Sequence, residues 1–222
     1  MIEVEGKQVL TELAELVDPS RTALVVVDMQ RDFIEPGFGF DQLGVDLSMY
    51  PALREQVSVL LDAARLAGVL VVHVQMTTLP GGRSESPAQL RFNLRLHSTQ
   101  HPGEPLRYTV QGEPGWAFVP EIVPREGELV VPKWRSSGFW GTNLDLLLRS
   151  NGIESLVVCG CTTEGCVEST ARDALFNDYY VVVASDGVAS DDRAQHDASL
   201  LLMAHRFDLA SVTAVVGCWA AA

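Results

Sequence analysis

Three side chains in this sequence are of the types that together carry out acyl transfer: the carboxylate of Asp28, the ammonium of Lys133 and the thiol of Cys166. Asp28 closes the apolar run ALVVVDMQ, where a carboxylate is costly to bury without a partner. Lys133 follows ELVVP, and Cys166 follows SLVVCG at the start of an expected helix. A cysteine in the first turn of a helix meets the positive end of the macrodipole, and a nearby ammonium adds to that field. Both effects would lower its thiol pKa from about 8.5. The thiolate would then attack a carbonyl while the carboxylate takes and returns the proton. Each residue also has a structural alternative. An aspartate at a strand end serves turns, a lysine after a strand is commonly solvated, and a helix cysteine is commonly inert core. On spacing alone, a nucleotide-binding or thiol-redox α/β protein stays open. The loop DMQRDFIEPG after the first apolar run does, however, lack the GxGxxG dinucleotide fingerprint.

The elements that must position these groups follow from the apolar pattern. Short β-branched runs alternate with longer amphipathic stretches, which predicts an α/β fold with a doubly wound, mostly parallel six-stranded sheet and helices on both faces. Strands are expected at 23–29, 69–75, 128–131, 155–160, 180–184 and 211–215, and helices at 47–67, 143–151, 163–177 and 192–207. Gly68 and Gly152 stand where a helix must stop before a strand. In an open parallel sheet the ligand crevice lies at the carboxyl ends of the strands, which is where all three reactive residues fall. Residues 77–124 break the rhythm with recurring Gly, Pro, Ser and Arg and read as a long insertion, ordered as a lid or subunit contact. Residues 1–20 read as a short helical arm, and the whole chain, 1–222, as a single domain.

The composition narrows the class. Sixteen Lys and Arg against 29 Asp and Glu give a net charge of −13, which argues against nucleic acid and anionic membrane surfaces as partners and gives no long-range help to an anionic substrate. The N-terminus MIEVEGKQVL has no apolar core of a secretory signal, and no apolar run approaches bilayer length, so a cytoplasmic location is expected. The cysteines Cys159, Cys161, Cys166 and Cys218 are then read as thiols. Cys159 and Cys161 are expected on opposite faces of a strand with no histidine nearby, which argues against a zinc site.

The segments ALVVVDMQRDFIEPG, VVPKWRSSGFWGTNLDLLLRSNGIESLVVCGCTTEGCVESTARDA and YYVVVASDGVAS resemble the three signature blocks of the isochorismatase-like cysteine hydrolases, in the right order and over most of residues 22–209. The resemblance implies a triad of Asp28, Lys133 and Cys166. It also implies a cis peptide at Cys161–Thr162 within GCTTEGCV, which would make the backbone N–H groups of Thr162 and Cys166 an oxyanion hole. Isochorismatases proper typically lack the nucleophilic cysteine. Nicotinamidases carry a metal-binding Asp-x-His after the second strand, where this chain has HVQMTTLPGG and His73 lies within the strand. What remains by resemblance is cofactor-free and metal-free hydrolysis of a small ureido or carboxamide C–N bond, nearest to the biuret, triuret, ureidoacrylate and N-carbamoylsarcosine amidohydrolases. An isochorismatase-type or nicotinamidase-type hydrolase, or a non-catalytic thiol-redox protein of the same fold, is the alternative. Gln30, Phe33, Arg135, Phe139 and Trp140 are candidate substrate contacts, and Arg83 and Arg91 candidates for a substrate carboxylate. Similar proteins are usually homo-oligomers, and a dimer or tetramer is expected.

Overall fold

The computed structural model describes residues 1–96 and 107–222. In chain order the elements are β1 (Ile2–Val4), β2 (Lys7–Val9), α1 (Leu13–Leu16), β3 (Thr22–Val27), α2 (Arg31–Ile34), α3 (Gly39–Gln42), α4 (Tyr50–Ala67), β4 (Leu70–Met76), α5 (Pro87–Leu96), β5 (Leu129–Lys133), α6 (Leu144–Ser150), β6 (Ser155–Cys161), α7 (Glu168–Phe176), β7 (Tyr180–Ala189), α8 (Arg193–Met203), β8 (Asp208–Ala210) and α9 (Val212–Ala220). A π-helical turn, Thr163–Val167, leads into α7.

The main sheet has the order β5-β4-β3-β6-β7-β8, and every neighbouring pair is parallel. Its middle strand β3, TALVVV, is buried along its whole length, as a parallel strand covered on both faces must be. Alternate residues serve two cores. Leu24 and Val26 join Leu53, Val57 and Leu60 of α4 and Val212, Val215 and Trp219 of α9 on one side. Ala23, Val25 and Val27 join Leu144 and Leu148 of α6, Ala171 and Ala174 of α7 and Met203 of α8 on the other. Each fully buried aliphatic side chain contributes about 1.5–3 kcal/mol, so this two-sided packing fixes β3, and with it the loop that carries Asp28.

Several expectations need correction. Residues 211–215 are not the sixth strand: they open α9, and the edge strand is the short β8, which pairs with β7 from Val182↔Asp208 to Ala184↔Ala210. The run SVTAVV is β-branched enough for either structure. The Ser211 hydroxyl accepts from Ala214 N, and Val212, Val215 and Trp219 recur at helical spacing on the buried side, which selects the helix. The N-terminal arm is mainly a β-hairpin, β1 against β2, turned at Glu5 and Gly6 (φ 51° and 76°), followed by the one-turn helix α1. Cys159 and Cys161 share a face, since residues two apart on a strand point the same way; both sit in the core beneath α4. Among its described residues the insertion between β4 and β5 contains α5 and three 3₁₀ turns, and its residues 97–106 lie outside the described residues. Among the described residues no helix is long and apolar enough to cross a membrane.

One backbone position ties the fold to the site. Gly160 has φ 115°, and a Cβ there would lie 2.1 Å from the carbonyl oxygen of Val27, the residue before Asp28. The register of β6 against β7 shifts between Val158 and Gly160. Gly160→Ala is therefore expected to lower stability by about 2–4 kcal/mol in urea unfolding, because both the φ value and the contact with rigid backbone exclude a side chain. A change below about 0.5 kcal/mol would show that this close approach is not a constraint.

Candidate active site

Asp28 leaves the carboxyl end of β3, Lys133 is the last residue of β5, and Cys166 lies in the π-helical turn after β6. The sheet order reverses direction between β3 and β6, so the site stands at the topological switch point of an open parallel sheet. Asp28 adopts a left-handed backbone (φ 52°), an uncommon conformation for a residue with a side chain. Neighbouring strand β4 holds it there. Asp28 N donates to Val74 O at 2.9 Å, and Asp28 Oδ1 accepts from Met76 N at 2.8 Å.

Lys133 joins the groups. Its Nζ lies 2.8 Å from Asp28 Oδ2 and 3.1 Å from Cys166 Sγ, and it donates to Arg135 O at 3.0 Å. Asp28 and Lys133 are both fully buried. The Asp28 Oδ2 contact is an ion pair without an aligned hydrogen bond, which leaves that oxygen able to accept from the thiol. Cys166 is held from behind: Thr170 Oγ1 donates to Cys166 O at 2.7 Å and accepts from Gly138 N at 2.9 Å. The Cys161–Thr162 peptide is cis. Val167 N donates to Thr162 O at 3.1 Å, closing the wide turn that presents Cys166.

Burial sets the direction of the shift for Asp28 and Cys166 but not for Lys133. It raises the Asp28 carboxyl against the opposing pull of Lys133. It works to lower the Lys133 ammonium, but the charges of Asp28 and Cys166 outweigh it and hold the proton on. It pushes the Cys166 thiol up to about 12, with Lys133 opposing and Asp28 reinforcing the shift. The lowered thiol pKa expected from the helix start is thus reversed, because desolvation beside a carboxylate exceeds the dipole and ammonium effects. In the free protein Lys133 thus holds its proton and Cys166 rests as the thiol. Cys159 and Cys161 are raised further by burial alone or chiefly so, which leaves them inert.

Above Cys166 opens a cavity of ≈ 200 Å³, below the roughly 300–1,000 Å³ of drug-sized pockets, so its ligand is small. Phe33, Phe40 and Tyr108 form one wall with ring centroids 5.0, 5.5 and 5.9 Å apart, and Phe92 of α5 stands at the side. The polar lining comes from Gln89, Ser136, Thr162, Glu164 and Gln195. Gln89, Phe92 and Tyr108 all belong to the insertion, which therefore covers the site.

Of the candidate substrate contacts, Phe33 lines this cavity; Gln30, Arg135, Phe139 and Trp140 are not among its lining residues. Gln30 is buried and clamps the insertion to the sheet, its Nε2 donating to Met76 O and Trp116 O at 2.9 and 2.8 Å. Arg135 Nη1 donates to Ser84 O at 3.1 Å. Phe139 packs in the core with Tyr179, and Trp140 is 63% exposed. Arg83 bonds Pro80 O at 3.1 Å, and Arg91 is exposed on α5. Phe40, Met76, Gln89, Phe92, Tyr108, Ser136, Glu164 and Gln195 had not been singled out in the sequence. Met76 ends β4, and Ser136, Glu164 and Gln195 follow the ends of β5, β6 and β7, so the strand-end rule could have found these four.

No three His, Cys, Asp or Glu side chains converge as a metal-ligand set among the described residues. His73 is buried, with Nε2 2.9 Å from Glu128 Oε2, and its burial keeps the imidazole neutral.

The match to known proteins agrees with this geometry. Residues 22–215 match the family model described as the isochorismatase domain, and the chain belongs to the isochorismatase family of hydrolases. It is similar to a cysteine hydrolase from Pseudomonas syringae pv. phaseolicola 1448A (27% identity, TM-score 0.79, covering 93% of this chain and 95% of that one). It is also similar to N-carbamoylsarcosine amidase from Thermoplasma acidophilum (28%, TM-score 0.66, 86% and 96%). A third similar structure is the pyrazinamidase of Pyrococcus horikoshii, solved in complex with zinc (28%, TM-score 0.67, 86% and 99%).

The direction of the thiol shift has a measurable consequence. With the pKa of Cys166 pushed up to about 12, alkylation of the free protein by iodoacetamide is expected to climb steadily from pH 6 to 9, near tenfold per unit, without a plateau. A plateau reached at or below pH 7 would mean that the thiolate is already formed at rest.

Proposed function

We propose that this protein is a metal-independent cysteine amidohydrolase that cleaves a small ureido or carboxamide C–N bond and releases ammonia. The observation that carries the reading is Lys133 Nζ placed between Asp28 Oδ2 and Cys166 Sγ, with Cys166 lining a small cavity. The nearest substrate types are biuret or triuret, ureidoacrylate and N-carbamoyl amino acids. N-carbamoylsarcosine amidase, among the similar structures, supports that group.

The chemistry follows from the resting protonation. On substrate binding the Cys166 proton passes to Asp28 as sulfur attacks the carbonyl carbon, with Lys133 stabilising the thiolate as it forms. The carbonyl π electrons move to oxygen, which the Thr162 and Cys166 N–H groups are proposed to receive; one such donor is typically worth about 3–4 kcal/mol. Collapse re-forms the carbonyl and breaks the C–N bond, and Asp28 protonates the departing ammonia. Asp28, again a carboxylate, then takes a proton from water, which attacks the thioester or thiocarbamate. Breaking of the C–S bond returns that proton to sulfur and releases the acid product.

We read the protein as cytoplasmic and as a homo-oligomer acting on a small molecule, without nucleic acid or membrane partners.

Ammonia release from a panel of ureido compounds and primary carboxamides tests the activity. Cys166→Ala is expected to reduce turnover on the order of 10⁴-fold or more while unfolding as the wild type does. Asp28→Asn is expected to lose turnover and also about 3–5 kcal/mol of stability, since it strands a buried ammonium. Near-wild-type turnover by Cys166→Ala would end the proposal; no release from any compound, with reversible oxidation of Cys166, would favour a thiol-redox role.

A further inference from the structure

The aromatic wall of the cavity over Cys166 is assembled from three separate stretches of chain: Phe33 from α2, Phe40 from α3 and Tyr108 from the insertion. The rings meet edge to face, with centroids 5.0, 5.5 and 5.9 Å apart. Edge contacts set the angle between rings but do not by themselves fix the backbones that carry them.

One side chain is tied to the backbone beside each of the three. Asp32 directly precedes Phe33. Its Oδ1 accepts from N of Gly39, the residue before Phe40, at 3.0 Å, and its Oδ2 accepts from N of Thr109, the residue after Tyr108, at 2.6 Å. Thr109 has a left-handed backbone (φ 52°), uncommon for a residue with a side chain, and its carbonyl oxygen accepts from Thr78 N at 2.9 Å. Gly115 of the insertion closes over the carboxyl group: a Cβ there would lie 1.9 Å from Asp32 Oδ1 and 2.3 Å from Oδ2. An amide could not copy this arrangement. It has one acceptor oxygen and would set its NH₂ group against the second backbone N–H. Asp32 is not among the residues lining the cavity, so it reaches a ligand through the wall and not by contact.

We infer that Asp32 is a positioning residue: its carboxylate locks Phe33, Phe40 and Tyr108 into one wall, and that wall limits the width of the group that reaches Cys166. The inference deepens the amidohydrolase reading and rests on it for the identity of the guest, a flat urea or carboxamide plane lying against the rings.

The test compares the wild type, Asp32→Asn, Tyr108→Ala and the double variant in their reaction with N-methylmaleimide and N-phenylmaleimide. These share a reactive group and differ in width. Modification is followed on the Cys166 peptide by mass spectrometry and normalised to free cysteine. The wild type is expected to favour the methyl reagent by about tenfold or more, and Asp32→Asn by about threefold or less. The double variant is expected to match Tyr108→Ala within about twofold, because Asp32 acts through the wall that Tyr108→Ala has already opened. With a substrate that the wild type turns over, Asp32→Asn is expected to raise KM about fivefold or more while kcat changes less than about threefold. If Asp32→Asn does not fold, Gly115→Ala, whose added Cβ displaces the Asp32 carboxyl without removing it, is expected to shrink the reagent ratio in the same way. A wild type that does not discriminate, an unchanged ratio in the variant, effects of Asp32→Asn and Tyr108→Ala that simply multiply, or a loss confined to kcat would overturn the inference. A shrunken ratio with no turnover of any amide by the wild type would uphold it while telling against the amidohydrolase reading.

Discussion

Everything in this site depends on one ion pair without access to water, Lys133 with Asp28. Removing two such charges from water costs several kcal/mol each, and their attraction in a poorly polarisable interior only about balances that cost. A buried pair of this kind is weak support for stability. It does fix protonation states. Lys133 keeps its proton because two acceptors of opposite or potential negative charge face it, and Lys133 in turn opposes the upward push that burial gives the Asp28 carboxyl. The thiol is then the group that retains a movable proton. A thiol held protonated in this way reacts slowly with oxidants and alkylating agents.

The fold serves this pair through strand ends. A parallel sheet delivers every β→α connection to one edge, and the reversal of strand order between β3 and β6 opens a crevice there. Rigid strands fix Asp28 and Lys133; a short wide turn, held by Thr170 and Gly138, fixes Cys166. The insertion closes the cavity and is itself anchored by polar contacts at its base: Gln30 and Gln75 to Trp116 O, and Trp116 Nε1 to Thr77 Oγ1. Asp32 adds another anchor, accepting from Thr109 N of the insertion and Gly39 N of α3. Strand ends below and side chains of the insertion beside them give a small cavity with defined walls.

The meeting of Asp28, Lys133 and Cys166 was legible in the sequence because each follows an apolar β-run, and strand ends converge in a parallel sheet wherever the chain goes in between. The cavity wall was not. Arg135, Phe139 and Trp140 follow Lys133 closely in sequence, but the chain turns away after β5, burying Phe139 under the sheet and leaving Trp140 outside. The true walls come from α3, α5 and the residues around Tyr108, whose position is set by tertiary packing and carries no local period. The same limit explains α9, whose β-branched start reads as a strand until its burial against α4 is known. The N-terminal hairpin was missed because Glu5-Gly6 is a turn pair between segments too short and too exposed to show alternation.

The central claim is that the buried Asp28–Lys133 pair makes Cys166 the covalent nucleophile. The most direct measurement is rapid quenching of the protein during turnover of a ureido or carboxamide substrate, followed by intact-mass and peptide mass spectrometry. The account predicts an acyl or carbamoyl adduct on the peptide holding Cys166, absent from Cys166→Ala. Turnover with no adduct at any time, or with the adduct on another residue, would contradict it.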